Sequence, residues 1–207
     1  MKPDYKNWIP KEMLFLLIAG TVLSLTLLLV FGVFGLGVSG KLRVVLGVVF
    51  GVAFVVCAKY TQWCVYAYRS FSYDGERKLS KQIIDGTAEH ITLPEGGVGL
   101  DIGCGSGALT IACAKRNPQG KMVGIDRWGK EYASFSLPLC EKNAAAEGMK
   151  NASFRRGNAV KLDFPDESFD AVTSNYVYHN ITGADKQALL LETLRVLKKG
   201  GTYAIHD

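Results

Sequence analysis

The sequence predicts an α/β fold, a mostly parallel sheet with helices on both faces, preceded by a transmembrane helical hairpin. Three observations carry this. Met13–Val38 holds no charged residue, a second apolar run follows at Val44–Ala58, and beyond Glu76 helix-patterned and strand-patterned stretches alternate. The expected division is a membrane anchor over residues 1–70 and a soluble domain over 71–207. Two functions follow from opposite ends of the chain, an apolar anchor and a domain that carries the chemistry.

The first run is broken only by Thr21, Ser24 and Thr26 among polar residues. As a helix it would reach about 39 Å, more than the ~30 Å hydrocarbon core of a bilayer. It is too long for the apolar part of a secretory signal, and a second apolar run follows it. That second run is shorter, but Lys59 can snorkel, and Trp63, Tyr66 and Tyr68 suit a membrane interface. Spans are therefore expected at about 13–38 and 42–65. Lys2, Lys6 and Lys11 precede the first, Arg69, Arg77, Lys78 and Lys81 follow the second, and only Lys41 and Arg43 lie between. Because lysine and arginine resist translocation, both termini are expected in the cytoplasm.

The soluble part begins with a helix expected over Glu76–Ile91, ended by Pro94. VGLDI is a buried strand, GALTIACAKR a helix stopped by Asn117 and Pro118, and KMVGID a second strand. A longer helix is expected over Lys130–Glu147, kinked at Pro138 and stopped by Gly148. ASFRR and FDAVTSN read as the third and fourth strands. A helix over Asp185–Lys198, closed by Gly200, leads to a fifth strand, TYAIH.

The first strand runs directly into GCGSGALT, so Gly103, Gly105 and Gly107 make a glycine-rich bend between a strand and a helix. Such a bend lets backbone approach a ligand closely, and the helix start adds unpaired N–H groups. Alone the motif is weak, and Ala108 extends it to a form that dinucleotide folds accept. Asp101 lies two residues before the first glycine. Asp126 ends the second strand, where a carboxylate can accept hydrogen bonds from both ribose hydroxyls. Either nucleotide class would use these two acids. The polar Asn158 after the third strand and the polar-aromatic cluster SNYVYHN after the fourth separate the readings.

With these residues in view, the stretch from about Phe71 to Asp207 resembles the class I S-adenosylmethionine-dependent methyltransferases, whose domain is Rossmann-like. GLDIGCGSG resembles the family's first motif and GIDRWG its acidic second-strand motif. RRGNAVKLDFPDESFDAV resembles the adenine loop and fourth strand, and LRVLKKGGTYAI the helix-turn-strand motif, with Lys199 where proline is common. The resemblance implies S-adenosyl-L-methionine as cofactor. It implies that Gly103, Cys104, Gly105 and Gly107 hold the methionine part, with Asp101 near its ammonium group, and that Asp126 holds the ribose. Arg127 or, better, Trp128 would cover the adenine. Asn158, where the family often has aspartate, would accept from the adenine amino group, Ala159 would offer its backbone N–H, and Asn175 would complete the set.

Methyl transfer requires alignment of an acceptor and, where the acceptor carries a proton, a base. Ligands of such sheets lie at the carboxyl ends of the strands, which places Ser174–Asn180 at the reaction. His179 is the candidate base, because its ordinary pKa lies near neutrality, and Tyr176 is the candidate beside it. Tyr73 and Asp74, in the connecting segment Phe71–Lys78, are candidates on the substrate side. The five cysteines show no paired spacing and read as packing residues, so no metal site is expected. The net charge of +5 sits mostly before Arg69, and the remainder is nearly neutral, which argues against a nucleic-acid partner. The expected acceptor is a small or lipid-soluble molecule at the bilayer. The competing readings are an NAD-type oxidoreductase and a noncatalytic membrane protein with a degenerate cofactor domain. The family sheet has seven strands and this sequence supplies five, so the resemblance implies a domain that is C-terminally incomplete after the fifth strand, either truncated or pairing that open edge, which is capable of self-association, with another chain.

Overall fold

The computed structural model describes residues 2–129 and 132–207. The chain divides into two compact units. One is Asn7–Ser80, and the other is Lys81–Asp207 together with the start of the chain up to Lys6.

The first unit is a helical hairpin. Helix α1 (Lys11–Leu27) continues as a wider π-type turn over Leu28–Val33, and α2 spans Gly40–Ser70. Both are long and apolar enough to cross a membrane by length and composition, at 23 and 31 residues. Small residues let the helices approach antiparallel: a Cβ on Gly32 would lie 2.8 Å from the Cα of Gly47, and one on Gly20 would touch Sγ of Cys57. Thr21 and Thr61 share a hydroxyl hydrogen bond of 2.9 Å across the pair. The first helical stretch stops at Val33, short of the expected Val38, because Gly35 and Gly37 turn the backbone to φ of 66° and 73°. Arg43 then satisfies helix-end carbonyls, donating from Nε to Gly32 O at 3.0 Å and from Nη2 to Val33 O. The apolar side chains face outward, with Leu16 74% and Val44 66% exposed.

The second unit is a five-stranded sheet. Its strands are β1 (Val98–Ile102), β2 (Lys121–Asp126), β3 (Ala152–Arg156), β4 (Phe169–Asn175) and β5 (Leu197–His206). The order is β3-β2-β1-β4-β5, and all four ladders are parallel. The chain first builds outward from β1 to β3, then returns to place β4 on β1's other side. The crevice between β1 and β4 is thus a topological switch point, where open α/β sheets hold ligands. Helices α3 (Leu79–Glu89), α4 (Ala108–Arg116), α5 (Leu137–Ala146) and α6 (Lys186–Val196) connect or flank the strands. Leu100, Ile102, Ile125, Leu162, Phe169, Val172 and Val196 form a buried cluster on the sheet. Burying each such Leu, Ile or Phe contributes roughly 1.5–3 kcal/mol, which explains why the strands read as short apolar runs rather than alternating ones.

Three elements differ from the sequence expectation. Helix α3 starts at Leu79 rather than Glu76. The helix expected from Lys130 begins at Leu137, although residues 130 and 131 lie outside the described part. Ser136 caps it, accepting from Leu139 N at 3.3 Å, and Pro138 sits in the first turn. Proline suits that turn, where its missing N–H costs nothing, so it starts this helix rather than kinking it. Finally, α6 ends at Val196, and LKKGG, expected to close the helix, opens β5. Phe169 faces Leu197 and Ala171 faces Thr202, so β5 carries extra residues in an irregularity that Gly200 accommodates at φ 77°. Among the described residues β5 has β4 as its sole ladder partner.

Candidate cofactor and active site

The bend after β1 is built around Gly103 and Gly105. The N–H groups of Gly103 and Cys104 both donate to Ile125 O at the end of β2, at 2.8 and 3.0 Å, which folds the loop back over the neighbouring strand. Gly103 has φ 74°, and a Cβ there would lie 2.3 Å from Cγ2 of Val177, just past β4. Both backbone and space therefore demand glycine. The loops after β1 and β4 meet at this contact, at the switch point.

Asp126 ends β2 and reaches the same loop. Its Oδ2 accepts from Gly105 N at 2.9 Å and its Oδ1 from Trp128 N at 2.7 Å. Trp128, at φ 46°, turns back so that its indole Nε1 donates to Gly105 O at 2.9 Å. Cys140 donates from Sγ to the same oxygen at 3.1 Å. Gly105 is thus fixed by an acid, an indole and a thiol from two segments. Asp126 is half-buried and uses one acceptor direction of each oxygen, and a carboxylate has about four, so it keeps capacity for a ligand's hydroxyls.

Asp101 has a different environment. It is 1% exposed, and its oxygens accept from the hydroxyls of Thr110 at 2.6 Å and Thr173 at 3.0 Å. Burial pushes its carboxyl up to about 6, against the opposing effect of those two hydroxyls. It braces the switch point by joining α4 to β4 through β1. Asn175, at the end of β4, leaves its buried Oδ1 without a partner, an acceptor facing no protein donor. Asn158 Oδ1 accepts from Val160 N at 3.0 Å, forming a tight turn, and keeps a second acceptor direction. Ala159 packs against the sheet's apolar cluster. Burial pushes the Cys104 thiol well up, and Cys140, Asp101 and Asp126 push it further, which keeps it protonated and in a packing role. Arg127 lies on the same short stretch between Asp126 and Trp128.

After β4, Tyr176 takes φ 54° and donates its N–H to His206 O at 2.8 Å. Its ring meets His206 edge-on at 4.9 Å and His179 at 5.8 Å. His179 is held by Asp207, which accepts from its backbone N at 2.9 Å and bonds Nδ1 at 2.8 Å. Tyr178 turns inward instead, 4% exposed and bonded to the Thr193 hydroxyl at 2.6 Å. Tyr73 and Asp74 belong to the helical unit. Among the described residues, no group of three or more His, Cys, Asp or Glu side chains is placed to hold a metal ion.

Sequence reasoning did not single out Asp207, Val177, Cys140 or Asn143, whose amide donates to Ser106 O in the loop at 3.0 Å. All four act across long sequence separations. The residues present fit a nucleoside with a cationic amino-acid tail: a glycine cradle, a half-buried acid for hydroxyl groups, and an unpaired amide oxygen for a donor.

Comparison with known proteins agrees. Residues 94–207 match the family model described as a methyltransferase domain. Demethylmenaquinone methyltransferases from Roseiflexus castenholzii and Geobacillus stearothermophilus are 37% and 36% identical over 111 and 112 residues, each covering 54% of this chain and 42% and 45% of those proteins. The chain thus matches less than half the length of these curated relatives. Among solved structures, YcgJ from Bacillus subtilis is 28% identical with a TM-score of 0.51, covering 60% of this chain and 50% of that one. The [4+2]-cyclase SpnF is 25% identical with a TM-score of 0.53, covering 62% and 45%. On its glycine bend, its strand-end acid and these matches, the chain belongs to the methyltransferase-domain family of S-adenosylmethionine-dependent enzymes.

Proposed function

We propose that this protein is a membrane-anchored methyltransferase, with an anchor over residues 1–70 and a catalytic domain over 71–207, that methylates a lipid-soluble acceptor such as a demethylated quinol. The observation that carries the reading is the 2.9 Å hydrogen bond from Gly105 N to Asp126, which brings the glycine bend and the strand-end acid to one cleft. The two outward-facing apolar helices and the quinone-directed relatives support the choice of acceptor. A tethered domain meets a bilayer-dissolved ring at high local concentration.

When bound, S-adenosylmethionine supplies an activated methyl group on a sulfonium. Gly103, Cys104, Gly105 and Gly107 would line its amino-acid end, with Asn175 Oδ1 accepting from the ammonium and Asp126 accepting from the ribose. Trp128 and Arg127 would border the adenine, with Asn158 and the Ala159 N–H at its edge. His179 would take the proton released by the acceptor. Asp207 favours that role by holding Nδ1, which leaves Nε2 as the free ring nitrogen. Tyr176 would position the acceptor ring beside it.

Residues up to Lys6 lie in the same unit as the sheet, which supports an even number of spans and termini on one side. The charge pattern supports the cytoplasmic side.

Sealed inside-out vesicles given methyl-labelled cofactor and a demethylated naphthoquinol test the proposal. Label should enter the quinone fraction, and His179→Ala should lower incorporation by about a hundredfold while cofactor stays bound. Label confined to right-side-out vesicles would reverse the orientation. Label in protein or nowhere would remove the acceptor assignment.

A further inference from the structure

We infer that Asp4 and Tyr5, ahead of the membrane anchor, act as a clasp that positions the cofactor loop through Asn143. The inference rests on the cofactor reading of the glycine bend. It adds a group of positioning residues that neither motif nor relatives point to, since the matched stretch begins at residue 94.

Chain starts usually fray. Here Tyr5 is 5% exposed and its hydroxyl donates to Glu147 Oε1 at 3.0 Å, just past α5. Lys115 on α4 bonds the other oxygen of Glu147 at 2.7 Å. Burial pushes the Glu147 carboxyl up, but the Lys115 and Tyr5 hydrogen bonds outweigh it and hold the group below its ordinary value, so the acceptor stays ionised near neutrality. One residue earlier, the Asp4 backbone pairs reciprocally with the Asn143 amide. Its N–H donates to Asn143 Oδ1 at 2.7 Å, and its carbonyl accepts from Nδ2 at 3.0 Å.

Asn143 is fully buried, and its Nδ2 also donates to Ser106 O at 3.0 Å. Ser106 lies between Gly105 and Gly107, the two glycines of the bend nearest α4. One amide therefore joins the chain start to the loop, and the Asp4 backbone fixes which way that amide points. Without Asp4, the buried amide would lose an acceptor and a donor and would be free to rotate away from Ser106. Ser106 O would then be free to drift, and with it the flanking N–H groups that line the cradle.

Calorimetry with S-adenosylhomocysteine on the full chain in nanodiscs tests this, using Tyr5→Ala, a chain lacking residues 2–5, and Tyr5→Phe. The first two should bind roughly tenfold more weakly than wild type with unchanged stoichiometry, and Tyr5→Phe, which keeps the buried ring, should recover most of the affinity. Simple loss of folded protein would lower stoichiometry and leave affinity unchanged. Unchanged affinity in both weakened variants, with wild type binding normally, overturns the clasp. Failure of wild type itself to bind would instead remove the cofactor reading on which the clasp rests.

Discussion

Asp101 and Asp126 lie at the carboxyl ends of neighbouring strands, the first one residue before the strand's last, yet their surroundings give them different work. Asp126 stays half-buried with spare acceptor directions, while Asp101 is enclosed and held by two threonine hydroxyls. Because burial raises Asp101 to about 6 in the folded chain, above its unfolded value of about 3.9, the unliganded fold binds that proton more tightly than the unfolded chain does. Its contribution to stability therefore falls as pH rises from about 4 to about 6 and is level above that. The cofactor's ammonium group, which we propose lies near Asp101, favours the ionised form, so cofactor binding should release a proton near pH 6. S-adenosylmethionine should bind several-fold more weakly at about pH 5 than at about pH 7.5, and Asp101→Asn should flatten that dependence. Equal affinities at both values would show that Asp101 does not sense the ligand's charge. The positions of Asp101 and Asp126 beside the glycine bend were legible in sequence because strand ends and glycine spacing are local features. Asp207 was not, since its bond to His179 exists only after β5 pairs with β4.

At the scale of elements, short apolar runs marked the central strands β1 and β4, because a parallel sheet covered on both faces buries them, whereas ASFRR of the edge strand β3 is mostly exposed. Boundaries were less legible where two signals competed. Pro138 reads as a breaker in a long helical pattern, but a capping Ser136 makes it a starter. In LKKGG, helix-favouring lysines lose to the ladder with β4, helped by the 2.8 Å ion pair of Lys198 with Asp170. The meeting of the β1 and β4 loops is the most constrained junction. Gly103→Ala would place a methyl group 2.3 Å from Val177 at a φ of 74°. It should destabilise the fold by about 2 kcal/mol or more and abolish cofactor binding. Adding Val177→Ala should return the steric part of that loss but not the backbone part. Thermal melting of the single and double variants checks this, and a single variant as stable as wild type would contradict the junction's role.

For the molecule as a whole, two physical regimes share one chain. A hairpin sealed by Gly32, Gly47 and a threonine pair presents apolar side chains outward, while the sheet unit gathers its polar groups at the carboxyl ends of parallel strands. The hydropathy contrast was plain in the sequence. The inclusion of Asp4 and Tyr5 in the sheet unit was not, because nothing local marks a tail that docks 139 residues away on Asn143. The account stands most directly on ligand binding at the glycine bend and Asp126. Calorimetric titration of the full chain with S-adenosylhomocysteine and with NADH, on wild type and Asp126→Ala, measures it. The account predicts one S-adenosylhomocysteine site per chain, weakened at least about tenfold by Asp126→Ala, and no saturable NADH binding. Tight NADH binding without S-adenosylhomocysteine binding, or an Asp126→Ala chain that binds as well as wild type, would contradict it.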